Sequence, residues 1–175
     1  MPGSILRSPR LYPLIALPIA FLLARRFARR VVIRGWSMYP TLAPGERVLF
    51  DALAYRLGRP RRGDVVLAKH PQRPSMKLVK RVAAVPGDRV TAQGDDWRVE
   101  EAPSRGVPSS EGPAAAGAQV WSLGEDEYFL LGDAPDVSTD ARHFGAVSGR
   151  DIEARAWLVY WPPRRLRKVH GPRPR

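Results

Sequence analysis

From residue 31 onward the chain is cut into short apolar stretches by turn-forming residues, and this punctuation limits the fold more than any other feature. The stretches are Val31–Ile33, Arg47–Phe50, Asp64–Ala68, Met76–Ala84, Gln119–Leu123, Tyr128–Leu131 and Ala156–Trp161. Between them stand Pro44-Gly45, Arg62-Gly63-Asp64, Pro86-Gly87-Asp88, Gly94-Asp95-Asp96 and Gly132-Asp133, residue types that reverse a chain. Runs this short suit strands better than helices, which need more residues to bury one face. Many short strands joined by Gly/Pro turns predict an all-β body of barrel or sandwich type. A short helix is expected around Ala52–Leu57. Residues 102–118, APSRGVPSSEGPAAAGA, read as a mobile loop because they are rich in Pro, Gly, Ser and Ala.

Before this body lies one long apolar run, residues 11–24, LYPLIALPIAFLLA, with arginines on both sides. As a helix it would span ~21 Å, short of a hydrocarbon core of ~30 Å, and Pro13 and Pro18 weaken it. Snorkelling arginines extend its reach. We read it as an uncleaved N-terminal membrane anchor. A cleaved signal peptide fits less well, because Arg25-Arg26-Phe27 is a poor small-residue cleavage site; the other alternative is a helix lying on the bilayer surface. The expected organisation is a basic segment and anchor over 1–30, a catalytic β domain over 31–164 and a basic tail over 165–175.

The formal charge of +12 is unevenly spread. Residues 25–34 carry five Arg, residues 56–62 four, and residues 164–175 six Lys or Arg, with no acid in any of these blocks. Elsewhere acidic residues slightly outnumber basic ones. Basic blocks beside an apolar run suit an anionic membrane surface, at about 1 kcal/mol per Lys or Arg. Nucleic acid is not an expected partner, since no matching motif is present. The chain has no cysteine, which excludes disulfides and thiolate chemistry. His70, His143 and His170 show no metal spacing, and no cofactor is expected.

Three segments carry candidate chemistry. In Gly35-Trp36-Ser37-Met38-Tyr39-Pro40-Thr41-Leu42 a serine sits on a tight turn, where most serines are structural and a hydroxyl is inert without a base. The segment 76–88, MKLVKRVAAVPGD, contains two of the chain's four lysines, against 25 arginines. A desolvated lysine can lose its proton, which arginine cannot. Lys80 lies among Leu78, Val79, Val82 and Ala83, although an edge-strand lysine reaching for solvent fits the same pattern. Lys77, three positions away, would point to the other face of a strand, and spacing alone does not choose between them. The third segment, residues 132–147, GDAPDVSTDARHFGAV, is crowded with Asp, Ser and Thr, as a surface loop with local turns also is.

Taken together and in order, these segments resemble the type I signal peptidases, proteases that use a Ser–Lys pair. Gly35 to Leu42 is similar to the family's G-x-S-M-x-P-T-L box, and Arg62 to Val66 to R-G-D-[IV]-V. Lys80-Arg81-Val82 through Pro86-Gly87-Asp88 matches K-R-x-x-[AG]-x-P-G-D. Gly132-Asp133, Ser138, Asp140, Arg142 and Gly145 fit the G-D-N…S-x-D-S-R-x-x-G box. Trp157 to Arg164 resembles the last strand and tail of mitochondrial inner-membrane proteases. The departures, Ala134 for Asn, Pro135 for Arg and Ala141 for Ser, resemble the branch that includes nickel superoxide dismutase maturation proteases.

The resemblance implies a signal-peptidase fold and a serine endopeptidase with Ser37 as nucleophile and Lys80, rather than Lys77, as base. It implies that Ser138 orients Lys80, that Asp140 and Arg142 hold the loop, and that Asp133 pairs with Arg81. Gly35 stands where some relatives place an oxyanion-binding serine, leaving that task to backbone N–H groups. Val31, Ile33, Met38, Leu42, Leu78 and Val79 are the expected lining of shallow pockets for small residues before the cut. The implied substrates are preproteins with Ala-x-Ala-type signal peptides; the alternatives are one dedicated partner, such as nickel superoxide dismutase, or an inactive membrane-tethered binding domain. Anionic lipids are the other expected partner. The activity calls for an extracytoplasmic catalytic domain, whereas the arginines after residue 24 favour the cytoplasm.

Overall fold

The computed structural model describes residues 27–93, 96–101 and 117–169. The apolar run 11–24 lies outside the described residues, as does most of the loop read at 102–118. No helix among the described residues is long and apolar enough to cross a membrane.

Eleven strands are present among the described residues. They are β1 (Ala28–Val32), β2 (Arg47–Asp51), β3 (Val65–His70), β4 (Arg73–Ala84), β5 (Arg89–Gln93), β6 (Asp96–Glu100), β7 (Gln119–Ser122), β8 (Glu127–Leu131), β9 (Val147–Ser148), β10 (Ile152–Trp161) and β11 (Arg167–Lys168). A four-residue helix, α1 (Ala141–Phe144), lies between β8 and β9. The larger sheet has the order β1-β2-β10-β3-β4-β8-β9, with β11 added to β10, and β6-β5-β7 form a second, three-stranded sheet. All the strand pairs are antiparallel.

The long strand β10 is the seam of the larger sheet. It pairs with β2 on one side and β3 on the other. Register shifts at Ile152/Ala154, Ala156/Leu158 and Val159/Trp161 bend it, as bulges do. Its alternating residues Ile152, Ala154 and Ala156 are buried, the period-2 pattern of a sheet with one covered face.

Three apolar clusters fill the interior. The first joins Ile33, Met38 and Leu42 to Val48, Phe50, Leu67 and Val159. The second lies on Val66, Val82, Tyr128 and Leu130. The third fastens the small sheet, through Val90 and Leu123, to Phe129 and Leu131 of β8 and Ala141 of α1.

Several elements differ from the sequence reading. The first strand starts at Ala28 and ends before Ile33, which turns inward as a core residue. Ala52–Leu57 forms turns rather than a helix. Asp51 caps the segment by accepting from the Leu53 and Ala54 N–H groups, but Gly58 and Pro60 follow too soon for it to lengthen. The hairpin β5–β6 was not anticipated. Within the stretch read as a basic tail, β11 pairs with Leu158 and Val159 of β10.

Candidate active site

Ser37 sits half-buried on the loop between β1 and β2. The loop is closed at its base by Ile33 N–H donating to Glu46 O (2.9 Å) and Gly45 N–H donating to Ile33 O (2.8 Å). Around the serine, Tyr39 N–H donates to Trp36 O and Leu42 N–H to Met38 O, at 2.9 and 2.7 Å. That helical turn places Met38 and Leu42 on one side, where both are buried in the first cluster. Trp36 and Tyr39 remain exposed and pack edge to face, with centroids 5.6 Å apart. The buried side chains hold the loop down while Ser37 stays near the surface.

Lys80 lies in β4, opposite Val66 of β3, and is only 3% exposed. Its Nζ donates to Ser138 Oγ at 2.7 Å. The Ser138 hydroxyl donates in turn to Asp140 Oδ2, also at 2.7 Å. Asp140 is fully buried. It further accepts from the Gly132 N–H at 3.1 Å and from Arg142 Nε and Nη2 at 2.9 and 3.2 Å. It also caps α1 through the Arg142 N–H.

Burial holds the Lys80 amine below the ordinary lysine range; the charge of Asp140 opposes this shift, Arg142 adds to it and Asp133 opposes it. For Asp140, burial pushes upward, but the hydrogen bonds from Arg142, Ser138 and the Gly132 N–H prevail and keep the carboxylate below its usual range. The pair therefore consists of a carboxylate that stays ionised and a lysine eased toward neutrality.

Gly132 is where the serine loop and this chain of polar groups meet. A Cβ there would press on Ser138 Oγ and lie 2.6 Å from both Ser138 Cβ and the Ser37 carbonyl oxygen. Real side chains do not tolerate such distances, so only glycine lets the two serines approach this closely. The Ala134 N–H donates to the Ser37 carbonyl at 3.1 Å, tying the serine to the segment that follows β8.

Next to Lys80, Arg81 forms a bidentate pair with Asp133 (2.7 and 2.6 Å) and donates to Gly63 O (2.7 Å) and Thr41 Oγ1 (3.0 Å). Gly63 adopts a φ of +84°, the left-handed region that favours glycine. Lys77 is placed elsewhere: it meets Glu153 of β10, which also binds Arg29 of β1.

Of the apolar residues expected to line pockets, Ile33, Met38 and Leu42 are core side chains of the first cluster, with Val31 and Val79 packed against it. Leu78 is buried opposite Ala68. A groove of about 870 Å³ runs beside the serine loop, lined by Pro40, Thr41, Arg81, Trp97, Gly132 and Asp133 among others. Two residues with a part in this architecture, Glu46 and Arg167, were not singled out from sequence, and Thr41 stood there only as a member of the serine segment. One signal was available, since Glu46 is the sole acid between residues 25 and 50.

Comparison with known proteins adds to this geometry. The family model described as signal peptidase, peptidase S26, matches residues 10–161. The chain belongs to the signal peptidase family. It is 36% identical over 132 residues to the mitochondrial ATP-independent inner membrane protease subunit 1a of Arabidopsis thaliana, covering 75% of this chain and 69% of the relative. It is 30% identical over 165 residues to signal peptidase IB of Staphylococcus aureus, covering 85% of each. Among solved structures, a signal peptidase I from Enterococcus faecalis aligns with a TM-score of 0.41 and 23% identity, over 56% of this chain and 97% of that one. Membership of a peptidase family makes the chain a protease of the hydrolase class, and preproteins with signal peptides are the substrates that membership implies.

Proposed function

We propose that the chain is a signal peptidase I-like serine endopeptidase that cleaves preproteins after small residues, with Ser37 as nucleophile and Lys80 as general base. The observation that carries this reading is the lysine's setting: a buried amine, held below its usual pKa, hydrogen-bonded to Ser138.

The polarity of the hydrogen-bond chain supports it. Ser138 has one proton and gives it to Asp140, so its oxygen can only accept from Lys80. A neutral amine bound in this way spends an N–H on Ser138 and keeps its lone pair for another group. That lone pair takes the Ser37 proton as Oγ attacks the scissile carbonyl and forms an acyl-enzyme. Lys80 then protonates the leaving amine and later activates water. The Ser37 backbone N–H is our candidate for stabilising the oxyanion.

Substrate lies extended and adds as a strand. The strand β1 ends the larger sheet, and Glu153 brings Arg29 of β1 and Lys77 of β4 to one side chain, so these strands are the natural walls of the binding site. Val31 and Val79 are the partly open apolar surfaces there, and Ile33, Met38 and Leu42 back them; Leu78 lies on the other face of β4, the face of Lys80. Residues 11–24 are proposed as a single membrane anchor, with the catalytic domain on the extracytoplasmic face. Exposed Trp36 and Tyr39 would sit at an anionic lipid interface.

The test is cleavage of a preprotein carrying an Ala-x-Ala site. Wild type should cut it, Ser37→Ala and Lys80→Ala should not, and Lys77→Ala should retain activity. Full activity in Lys80→Ala would refute the assignment.

A further inference from the structure

The serine loop is held from behind by the last described strand. Glu46, which closes the loop, is only 1% exposed. Its two oxygens each accept from Arg167 of β11 at 2.8 Å, and one also accepts from the Ala43 N–H at 3.0 Å. The same guanidinium donates to the Thr41 carbonyl at 2.7 Å. Thr41 is four residues beyond Ser37, and its hydroxyl accepts from Arg81, the neighbour of Lys80. Arg81 holds Asp133, and Ala134 N–H donates to the Ser37 carbonyl. The contacts therefore run from β11 through Thr41 to the strand bearing Lys80, and back to Ser37 through the segment after β8.

We infer that Arg167 is a positioning residue for Ser37: through Glu46 and Thr41 it sets where the serine loop stands relative to Lys80. This rests on the protease reading proposed above and extends it to a residue in a stretch that composition marks only as a basic tail. The geometry suits a locating part. A planar guanidinium that engages a carboxylate with both edges fixes direction as well as distance. Its third contact falls on the backbone of the loop itself. Fully buried Glu46 has no other use for its charge among the described residues, being bound to Arg167, Arg165 and one loop N–H. The hydrogen bonds of Arg167 go to Glu46, to the Thr41 carbonyl and to the Arg165 carbonyl, whereas the Lys80 amine is bonded to Ser138. Its removal should therefore misplace the nucleophile without retuning the base.

The test uses the full chain and a peptide with an Ala-x-Ala site, with single-turnover rates, KM, the pH profile and the melting temperature all read. Arg167→Met should lower turnover by about tenfold to a hundredfold, as a small misplacement of a reacting group does, with KM within twofold and the acid limb of the profile unmoved. Arg167→Lys should fall between, because lysine keeps the charge and loses the fork. Arg164→Ala, which alters a neighbouring exposed charge, should match wild type. The double variant Glu46→Gln/Arg167→Met removes the stranded buried charge, so its melting temperature should recover while its turnover stays low. Turnover that recovers together with melting temperature, or Arg167→Met turnover within twofold of wild type, would overturn the inference and leave the protease reading standing. A wild type that fails to cut, or a Ser37→Ala variant that cuts equally well, would overturn the protease reading and this inference with it.

Discussion

Replacing Gly132 with alanine should damage activity far more than one methyl group suggests. The new Cβ would lie 2.6 Å from the Ser37 carbonyl oxygen and from Ser138 Cβ, whereas ordinary contact begins at 3.4 Å. One or both serines must therefore retreat by roughly 1 Å, a displacement that costs up to about a hundredfold in rate when it falls on a reacting group. At about 1.36 kcal/mol per tenfold, that corresponds to a barrier higher by roughly 2.7 kcal/mol. Neither serine can move freely. The Ser37 carbonyl accepts from Ala134 N–H, and Ser138 lies between Lys80 and Asp140 with hydrogen bonds of 2.7 Å on both sides. Overpacking of this kind also lowers stability by about 1–3 kcal/mol. Single-turnover cleavage and urea unfolding of the same preparation separate the two effects. A folded Gly132→Ala variant within twofold of wild type would show that the approach of Ser37 and Ser138 at this glycine has no part in catalysis.

Other outcomes follow from the same contacts. In the proposed mechanism the reactive form of Lys80 is the neutral amine, and its pKa is depressed by burial; kcat/KM should therefore rise with pH through a limb lying below the ordinary lysine value. Because the Asp140 charge raises that pKa, Asp140→Asn should move the limb to lower pH while reducing the maximal rate, as a pH–rate profile would show. Glu46 is pushed upward by burial, but its hydrogen bonds with Arg167 and the Ala43 N–H outweigh this and hold it below its usual value. Its stabilising contribution is present above the ordinary carboxylate pKa and is lost as pH falls through the lowered one; Glu46→Gln should flatten acid unfolding in that window. Arg81→Met leaves Asp133 and the Gly63 carbonyl without their donor and should cost roughly 3 kcal/mol in urea unfolding.

Much of the body was readable because apolar runs and turn residues alternate. The strands β2, β3, β4, β8 and β10 all contain stretches whose buried residues follow that pattern. The hairpin β5–β6 was hidden because its exposed positions carry Arg, Gln, Asp, Trp and Glu, leaving few buried apolar residues to reveal a period. The start of β1 was obscured for a related reason: Arg29 and Arg30 are exposed, and no residue of the strand is fully buried. In the site, Ser37, Lys80 and the 132–142 segment were legible as ordered boxes of residue types. Spacing does not reveal which partners such residues choose. Arg167 shows the limit, since its neighbours in sequence are basic and its partners, Glu46 and Thr41, lie more than a hundred residues away.

The position of β10 has a consequence for how such a chain comes into being. The loop bearing Ser37 springs from β1 and β2, and Lys80 rides on β4 beside β3; in the sheet these two hairpins touch through a strand that does not begin until Ile152. A ribosome has already made both proposed catalytic residues long before it makes the strand that joins their two hairpins. A partly synthesised chain thus holds the two hairpins unjoined, and the proposed pair of residues depends on the final stretch emerging to bring them into one sheet.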